Sequence, residues 1–220
     1  MQATITSSEI LGTDILKIEI LPVKTLRFTP GQFIELSLPS AVGSGRDSRH
    51  WFTVASAPHE KMITIMTRLR DPLSIYKQIL SALPYGDLVT ISDVLGDFVL
   101  PKDPSLPLLL IAGGVGITPF LSMAKQSKYD NKIIPAHLIH VASNVSDFDL
   151  IGPLEPWVTK TSYIDKNIAG NDLEMIASYC EPNQFIYISG PETFVKAVIE
   201  VIKSRGVHDS HIISDSFLGY

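Results

Sequence analysis

The residues with the plainest chemistry are three glycines that follow an apolar run, in Leu109-Leu110-Ile111-Ala112-Gly113-Gly114-Val115-Gly116-Ile117-Thr118-Pro119-Phe120. Leu108 to Ile111 is short and unbroken, as expected of a parallel strand buried on both faces. Glycine tolerates positive φ and lets a ligand approach the backbone, and Thr118 and Pro119 suit the first turn of a helix. Free N–H groups in such a turn, with a helix dipole behind them, favour a pyrophosphate. The same residues would also make a tight strand-to-helix turn that holds no ligand. Their spacing departs from G-x-G-x-x-G, so a standard dinucleotide fingerprint is not met.

A second stretch, Arg49-His50-Trp51-Phe52-Thr53-Val54-Ala55-Ser56-Ala57-Pro58, combines a cation, an imidazole, two aromatics and a hydroxyl before a proline turn. It offers a flat ring to stack on, a hydroxyl for a ring nitrogen and a positive group for a phosphate. A barrel strand that only packs its aromatics would read the same way. Ser189-Gly190-Pro191 forms a third polar turn after an apolar run.

Other chemistries are disfavoured. His137 and His140, three apart on a strand, face opposite sides, so no metal centre is expected. The single cysteine, Cys180, rules out an internal disulfide and a Cys-ligated iron–sulfur cluster, and reads as a small buried hydrophobe. The formal charge of -5, with no Lys/Arg cluster, argues against nucleic acid. No targeting leader or membrane span is expected at the N-terminus or elsewhere, and the expected compartment is the cytoplasm. Hydrophobic residues at 45% and charged residues at 19% of 220 describe an ordinary globular chain with room for two modest domains.

Two scaffolds must position these residues. Up to about Leu100 the pattern is of short alternating segments: Ala3–Thr6, Leu16–Leu21, Phe33–Leu38, Trp51–Ala55, Met62–Arg68, Leu88–Ile91 and Phe98–Leu100. Turn residues such as Pro30-Gly31, Gly43 to Gly45 and Gly96-Asp97 separate them, which predicts a small antiparallel β-barrel. One helix, roughly Pro72 to Leu83, interrupts it with Ile75, Ile79, Leu80 and Leu83 on one face. Pro101 to Pro107, with three prolines and two charges, marks a boundary between a first domain, residues 1–101, and a second, 107–220.

Beyond the boundary, strands and helices alternate, which predicts an α/β domain with a parallel sheet. The strands are expected at Leu108–Ala112, Ala136–Val141, Ser162–Ile164, Phe185–Ser189 and Ile212–Ser214. The helices are expected at Pro119–Ser127, near Pro153–Val158, at Asn171–Cys180 and at Glu192–Arg205. Ligands of such sheets sit at the carboxyl ends of the strands, where the glycine turn and Ser189 would lie.

His50-Trp51-Phe52-Thr53 with Ala55-Ser56-Ala57-Pro58, the turn at Gly113 to Pro119, Ser189-Gly190-Pro191 and the terminal Phe217-Leu218-Gly219-Tyr220, in this order, resemble the ferredoxin–NADP reductase superfamily over essentially the whole chain. The His-x-Phe-Thr form is similar to the flavin loop of its ferric reductase and NADPH oxidase branch. The resemblance implies an FAD-binding barrel followed by an NAD(P)-binding α/β domain. It implies that Phe52 packs on the isoalloxazine, that Thr53 hydrogen-bonds near flavin N5, and that His50 or Arg49 faces the phosphates, with Trp51 and Val54 in the same strand. Arg68, preceded by Thr67, and Ser74 match the spacing of a cation and a helix N-terminus at the FAD pyrophosphate, and so favour FAD over FMN. For Arg68 a solvated strand-end charge is the alternative.

The same resemblance assigns the nicotinamide dinucleotide to Gly113, Gly114, Val115, Gly116, Ile117, Thr118 and Pro119. Ser189 stands where a cysteine usually approaches the nicotinamide, followed by Gly190 and Pro191. Asp215 stands where a carboxylate relays a proton, and Phe217 and Tyr220 where an aromatic shields the ring. Ser143 holds the approximate place of an arginine that would pair with a 2′-phosphate. Asp147 or Asp149 would favour a free ribose hydroxyl, so NADH and NADPH both stay open.

The implied activity is hydride transfer from NAD(P)H to FAD, then electron release to a separate acceptor such as ferredoxin, flavodoxin or a small molecule. A ferric-chelate or flavin reductase, a flavin electron-transfer subunit of a larger complex, and a nucleotide-binding sensor are the alternatives. Oligomeric state is not fixed by the sequence.

Overall fold

The computed structural model describes residues 1–38, 48–102, 106–152, 155–166 and 172–217. The turn at Gly43 to Gly45, the middle of the proline linker, Pro153, Asn171 and the terminal Leu218, Gly219 and Tyr220 lie outside the described residues. The chain forms two compact units. Among the described residues, one comprises Met1–Val99 with Thr118–Gln126; the other comprises Leu100–Ile117 and residues 127–217.

The first unit is built on β1 (Gln2–Leu11), β2 (Ile15–Pro22), β3 (Phe33–Ser37), β4 (Arg49–Thr53), β5 (Ile63–Arg68) and β6 (Leu88–Ile91). They form one antiparallel, barrel-like sheet in the order β4-β3-β6-β1-β2-β5. Alternation decides which residues enter the core: Leu16, Ile18 and Ile20 point in, while Lys17 and Glu19 point out and pair at 2.9 Å.

Helix α1 (Ile75–Ala82) packs onto this core through Tyr76 and Leu80. The expected face is rotated, since Ile75 is 66% exposed. Tyr76 takes the buried place because its hydroxyl finds the Leu36 carbonyl at 2.9 Å, which satisfies the one polar atom the ring carries inward. The start of helix α2 (Thr118–Tyr129) also belongs to this unit, and Ser122 Oγ donates to Ser56 O at 2.6 Å.

The expected strand Phe98–Leu100 does not form. Phe98 is anchored by packing edge-on to Phe120, ring centroids 5.8 Å apart, and Pro101 follows too soon for a ladder.

The second unit is a parallel sheet of β7 (Leu108–Gly113), β8 (Ile134–Ala142), β9 (Val158–Asp165), β10 (Phe185–Pro191) and β11 (Ile212–Phe217). Helices α3 (Asp172–Ser178) and α4 (Glu192–Ser204) supply crossovers. The order β11-β10-β7-β8-β9 places the wholly buried β7 at the centre. The chain moves outward through β8 to β9, then returns across β7 to β10. That reversal puts a topological switch point between the carboxyl ends of β7 and β10, where ligands of open α/β sheets bind.

Ile111, Ile139, Ile186 and Ile188 of the sheet pack with Ile176 of α3 and with Val195, Val198 and Ile202 of α4. Of the helix expected near Pro153–Val158, the described residues 155–158 are not helical and lead into β9; a 3-10 turn at Val145–Leu150 precedes them. Pro156 disfavours helical backbone at Glu155, and Trp157 is wholly buried beside the extended chain it introduces.

Candidate cofactor sites

β7 ends at Gly113, a 3-10 turn covers Gly114–Ile117, and α2 starts at Thr118. Gly114 alone of the three glycines has a left-handed backbone, φ 54°. His140, wholly buried on β8, places Nε2 3.0 Å from the Gly114 carbonyl, close enough to donate to it and hold that peptide. The sequence reading passed over this role of His140. It becomes visible only once β8 pairs with β7.

The close approach expected of the other glycines is used by the protein itself. A Cβ on Gly116 would lie 2.3 Å from the Ser189 carbonyl oxygen, and one on Gly113 2.5 Å from the Phe194 ring. Gly190 comes within 3.3 Å of Gly113 on the same criterion. Glycine at 113, 116 and 190 therefore lets β10 close onto the turn. Ligand access is left to Gly114 and Val115, which are partly exposed, while Ile117, Thr118 and Pro119 are buried behind them.

Ser189 is wholly buried, and among the described residues its Oγ has no hydrogen-bond partner. It lies in register with Ala112 of β7 and Asp215 of β11, and Pro191 lies in register with Phe217. The sheet thus brings Gly113, Gly116, Ser189, Gly190, Pro191, Asp215 and Phe217 to one end of β7, β10 and β11. Ser143, partly exposed, follows the end of β8. Cys180 lies apart from all of these, and burial pushes its thiol up to about 11.

In the barrel unit, β4 divides its candidates between two faces. Arg49, Trp51 and Thr53 share the outer face with Phe33 and Glu35 of β3. Arg49 pairs with Glu35 at 3.6 Å, and Trp51, 61% exposed, leans on Phe33 with ring centroids 6.0 Å apart. His50 and Phe52 face inward onto Tyr76, His50 edge-on at 4.0 Å and Phe52 roughly parallel at 6.1 Å. Phe52, expected to offer its ring, is only 9% exposed. The exposed aromatic of this strand is Trp51. Val54 continues the strand into the core with 0% exposure, and Thr67 is half-buried on β5.

Arg68 is not a solvated charge. Its side chain is 9% exposed and forms an ion pair with Asp14. Ser74 caps α1, its hydroxyl accepting from Lys77 N at 3.3 Å. Lys77 Nζ donates to the Arg68 carbonyl at 2.8 Å. Burial first, then the nearby Arg70 guanidinium, holds the Lys77 pKa below the usual lysine range.

No acidic residue occupies the first turn of α1. This helix start therefore gathers two like charges, and a phosphate placed there would offset their repulsion. Neither Arg70 nor Lys77 was singled out from sequence; Lys77, three residues after the capping serine, was the available signal. The α1 start fits the phosphates of a flavin nucleotide. The unpartnered Ser189 hydroxyl beside the glycine turn fits the polar end of a pyridine dinucleotide.

No family model matches the chain. The toluate 1,2-dioxygenase electron transfer component of Pseudomonas putida is 27% identical over 94% of this chain and 63% of its own length. Flavohemoprotein A of Dictyostelium discoideum is 25% identical over 89% and 53%, so the chain spans between about half and two thirds of these relatives. A ferredoxin NADP+ reductase from Neisseria gonorrhoeae with bound FAD and NADP has a TM-score of 0.78 at 18% identity, over 100% of this chain and 98% of its own. A cytochrome P450 reductase from Amycolatopsis has a TM-score of 0.79 at 21% identity, over 99% and 70%.

Proposed function

The chain has the two-domain fold of the ferredoxin–NADP reductase superfamily, and we propose that it is an NAD(P)H-dependent flavoprotein reductase. Its barrel unit would hold FAD and its α/β unit the nicotinamide dinucleotide. Bound flavin would supply the chemistry the side chains lack, taking a hydride from reduced nicotinamide and releasing electrons singly. The observation that carries the reading is the switch point between β7 and β10. There a left-handed glycine turn meets a buried serine hydroxyl that has no hydrogen-bond partner among the described residues.

The chain's own residues bind, orient and exclude water. The turn at Gly114 and Val115 would take the dinucleotide pyrophosphate, and His140 holds the Gly114 peptide. Ser189 Oγ, buried without a partner among the described residues, would hydrogen-bond the polar end of the nicotinamide. Asp215, its neighbour in register, adds a carboxylate at the same end of the sheet. In the barrel unit Thr53, on the outer face of β4, would hydrogen-bond the flavin, and Phe52 packs inward on Tyr76. Ser74, Lys77 and Arg70 meet the flavin phosphates, and Arg68 holds Lys77 through its carbonyl.

The acceptor would be a separate electron carrier such as ferredoxin or flavodoxin. One observation favours a second reading, a flavin-bearing subunit that needs further protein. The relatives are half again to nearly twice as long as the segment they share with this chain. Among the described residues no helix is long and apolar enough to cross a membrane.

The test is a visible spectrum of protein purified with excess FAD, followed by anaerobic titration with NADH and NADPH. A bound yellow chromophore bleached by either reductant is expected. Colourless protein with no saturable dinucleotide uptake would overturn the proposal. Reduction of ferricyanide, with a second polypeptide required for any protein acceptor, would favour the subunit.

A further inference from the structure

We propose that the dinucleotide site of the α/β unit is built for a free adenosine ribose, NADH rather than NADPH. This rests on the function proposed above. In a parallel-sheet dinucleotide site, the strand that follows the pyrophosphate turn carries the group facing the ribose 2′ position at its carboxyl end. Here that strand is β8, paired along β7 and tied to the turn by the His140 contact with Gly114.

What β8 delivers at that end is carboxylate. Residues 142–152 read Ala-Ser-Asn-Val-Ser-Asp-Phe-Asp-Leu-Ile-Gly and contain no lysine or arginine. Asp165 of β9 lies in register with Ala142, the last residue of β8. Glu155 accepts from the Tyr163 hydroxyl at 2.9 Å, and Phe148 packs on the Tyr163 ring at 4.9 Å. Burial first, then Glu155, then Asp149 raise the Tyr163 pKa, so both carboxylates project their charge onto the same edge of the sheet.

A dianionic 2′-phosphate placed here meets like charge instead of the guanidinium fork that suits it, whereas a hydroxyl can donate to a carboxylate. The nearby lysines do not reverse this. Lys160 sits over the Tyr179 ring, 5.0 Å from its centroid. Lys166 directly follows Asp165 and is exposed, as Asp149 and Glu155 are, so one ammonium faces three carboxylates and the edge keeps an excess of negative charge.

Isothermal titration of the FAD-supplemented protein with NAD+ and with NADP+, at low and at high salt, tests this. NAD+ is expected to bind at least about tenfold more tightly, and salt to narrow the gap by screening repulsion of the phosphate. Ser143→Arg should narrow it as well, and Lys166→Gln should leave it unchanged. NADP+ binding as tightly as NAD+ would overturn the inference and leave the proposed function standing. So would NADP+ binding that salt weakens more than NAD+ binding, or that Lys166→Gln selectively abolishes. Failure of both dinucleotides to bind would overturn the proposed function and this inference together.

Discussion

Ser189 and Asp215 lie directly across from one another in the parallel pairing of β10 with β11, so their side chains share a face of the sheet. The serine oxygen is buried and yet makes no hydrogen bond among the described residues. A buried hydroxyl in that state costs about 1–3 kcal/mol of desolvation. Ser189→Ala is therefore expected to hold or raise the stability of the ligand-free protein, by up to about 1 kcal/mol, while weakening NAD(H) binding severalfold. Thermal melting with and without dinucleotide checks both halves. A clear loss of stability without ligand would show that the hydroxyl serves the fold.

Gly116 is held by a different constraint, the approach of the Ser189 carbonyl to within 2.3 Å of where a Cβ would stand. That neighbour is backbone in an interior strand, paired on both sides, and cannot swing aside. Gly116→Ala should cost more than about 2 kcal/mol and deform the turn. Gly152→Ala, where no atom of the described residues lies within 4 Å of the new methyl, serves as the control and should stay within about 0.5 kcal/mol of wild type. Urea denaturation of the two variants side by side gives the comparison; equal midpoints would contradict the packing argument.

How far the sequence spoke depended on whether a signal was local. The unbroken run Leu108 to Ile111 announced a doubly covered strand, and β7 is buried throughout, because burial on both faces leaves no room for a polar residue. The alternation of Leu16, Ile18 and Ile20 announced a one-sided strand for the same kind of reason. Non-local partners were not legible. Nothing near Arg68 in the chain points to Asp14, 54 residues earlier, and the two meet only because β2 and β5 pair with Ile15 opposite Arg68. Phe52 looked like the ring to stack on, but period two sends it inward to Tyr76 and leaves Trp51 outside. Phe98–Leu100 has the composition of a strand but takes no strand backbone, and Phe98 packs on Phe120 instead.

The Arg68–Asp14 pair separates two roles that the sequence left merged. The Arg68 side chain is 9% exposed and that of Asp14 21%, so removing one partner strands the other in a poorly solvated place. Arg68→Met is expected to cost about 2 kcal/mol, less than a fully buried pair because Asp14 keeps some water. Adding Asp14→Asn should recover part of that loss. FAD uptake should fall only in proportion to the displacement of α1. Unchanged stability together with abolished FAD binding would assign the guanidinium to the phosphates.

His137 gives the α/β unit a titration that can be read without any ligand. Its Nε2 lies 2.8 Å from Ser162 Oγ, its ring stands edge-on to Tyr179 at 4.8 Å, and the Lys160 ammonium lies over the same tyrosine. Burial first, then Lys160, lowers its pKa below the usual 6.5. The unfolded chain then binds more protons than the folded one between the depressed folded value and about 6.5, so stability rises with pH across that window. The contribution is complete above about 6.5 and is lost as the pH falls toward the folded value. His137→Gln keeps a hydrogen-bonding group beside Ser162 but cannot titrate. Its urea midpoint should therefore fall less steeply than that of wild type between about pH 7 and pH 5. Parallel pH profiles for the two proteins would mean that His137 protonates as easily folded as unfolded, and the burial argument for this corner of the sheet would fail.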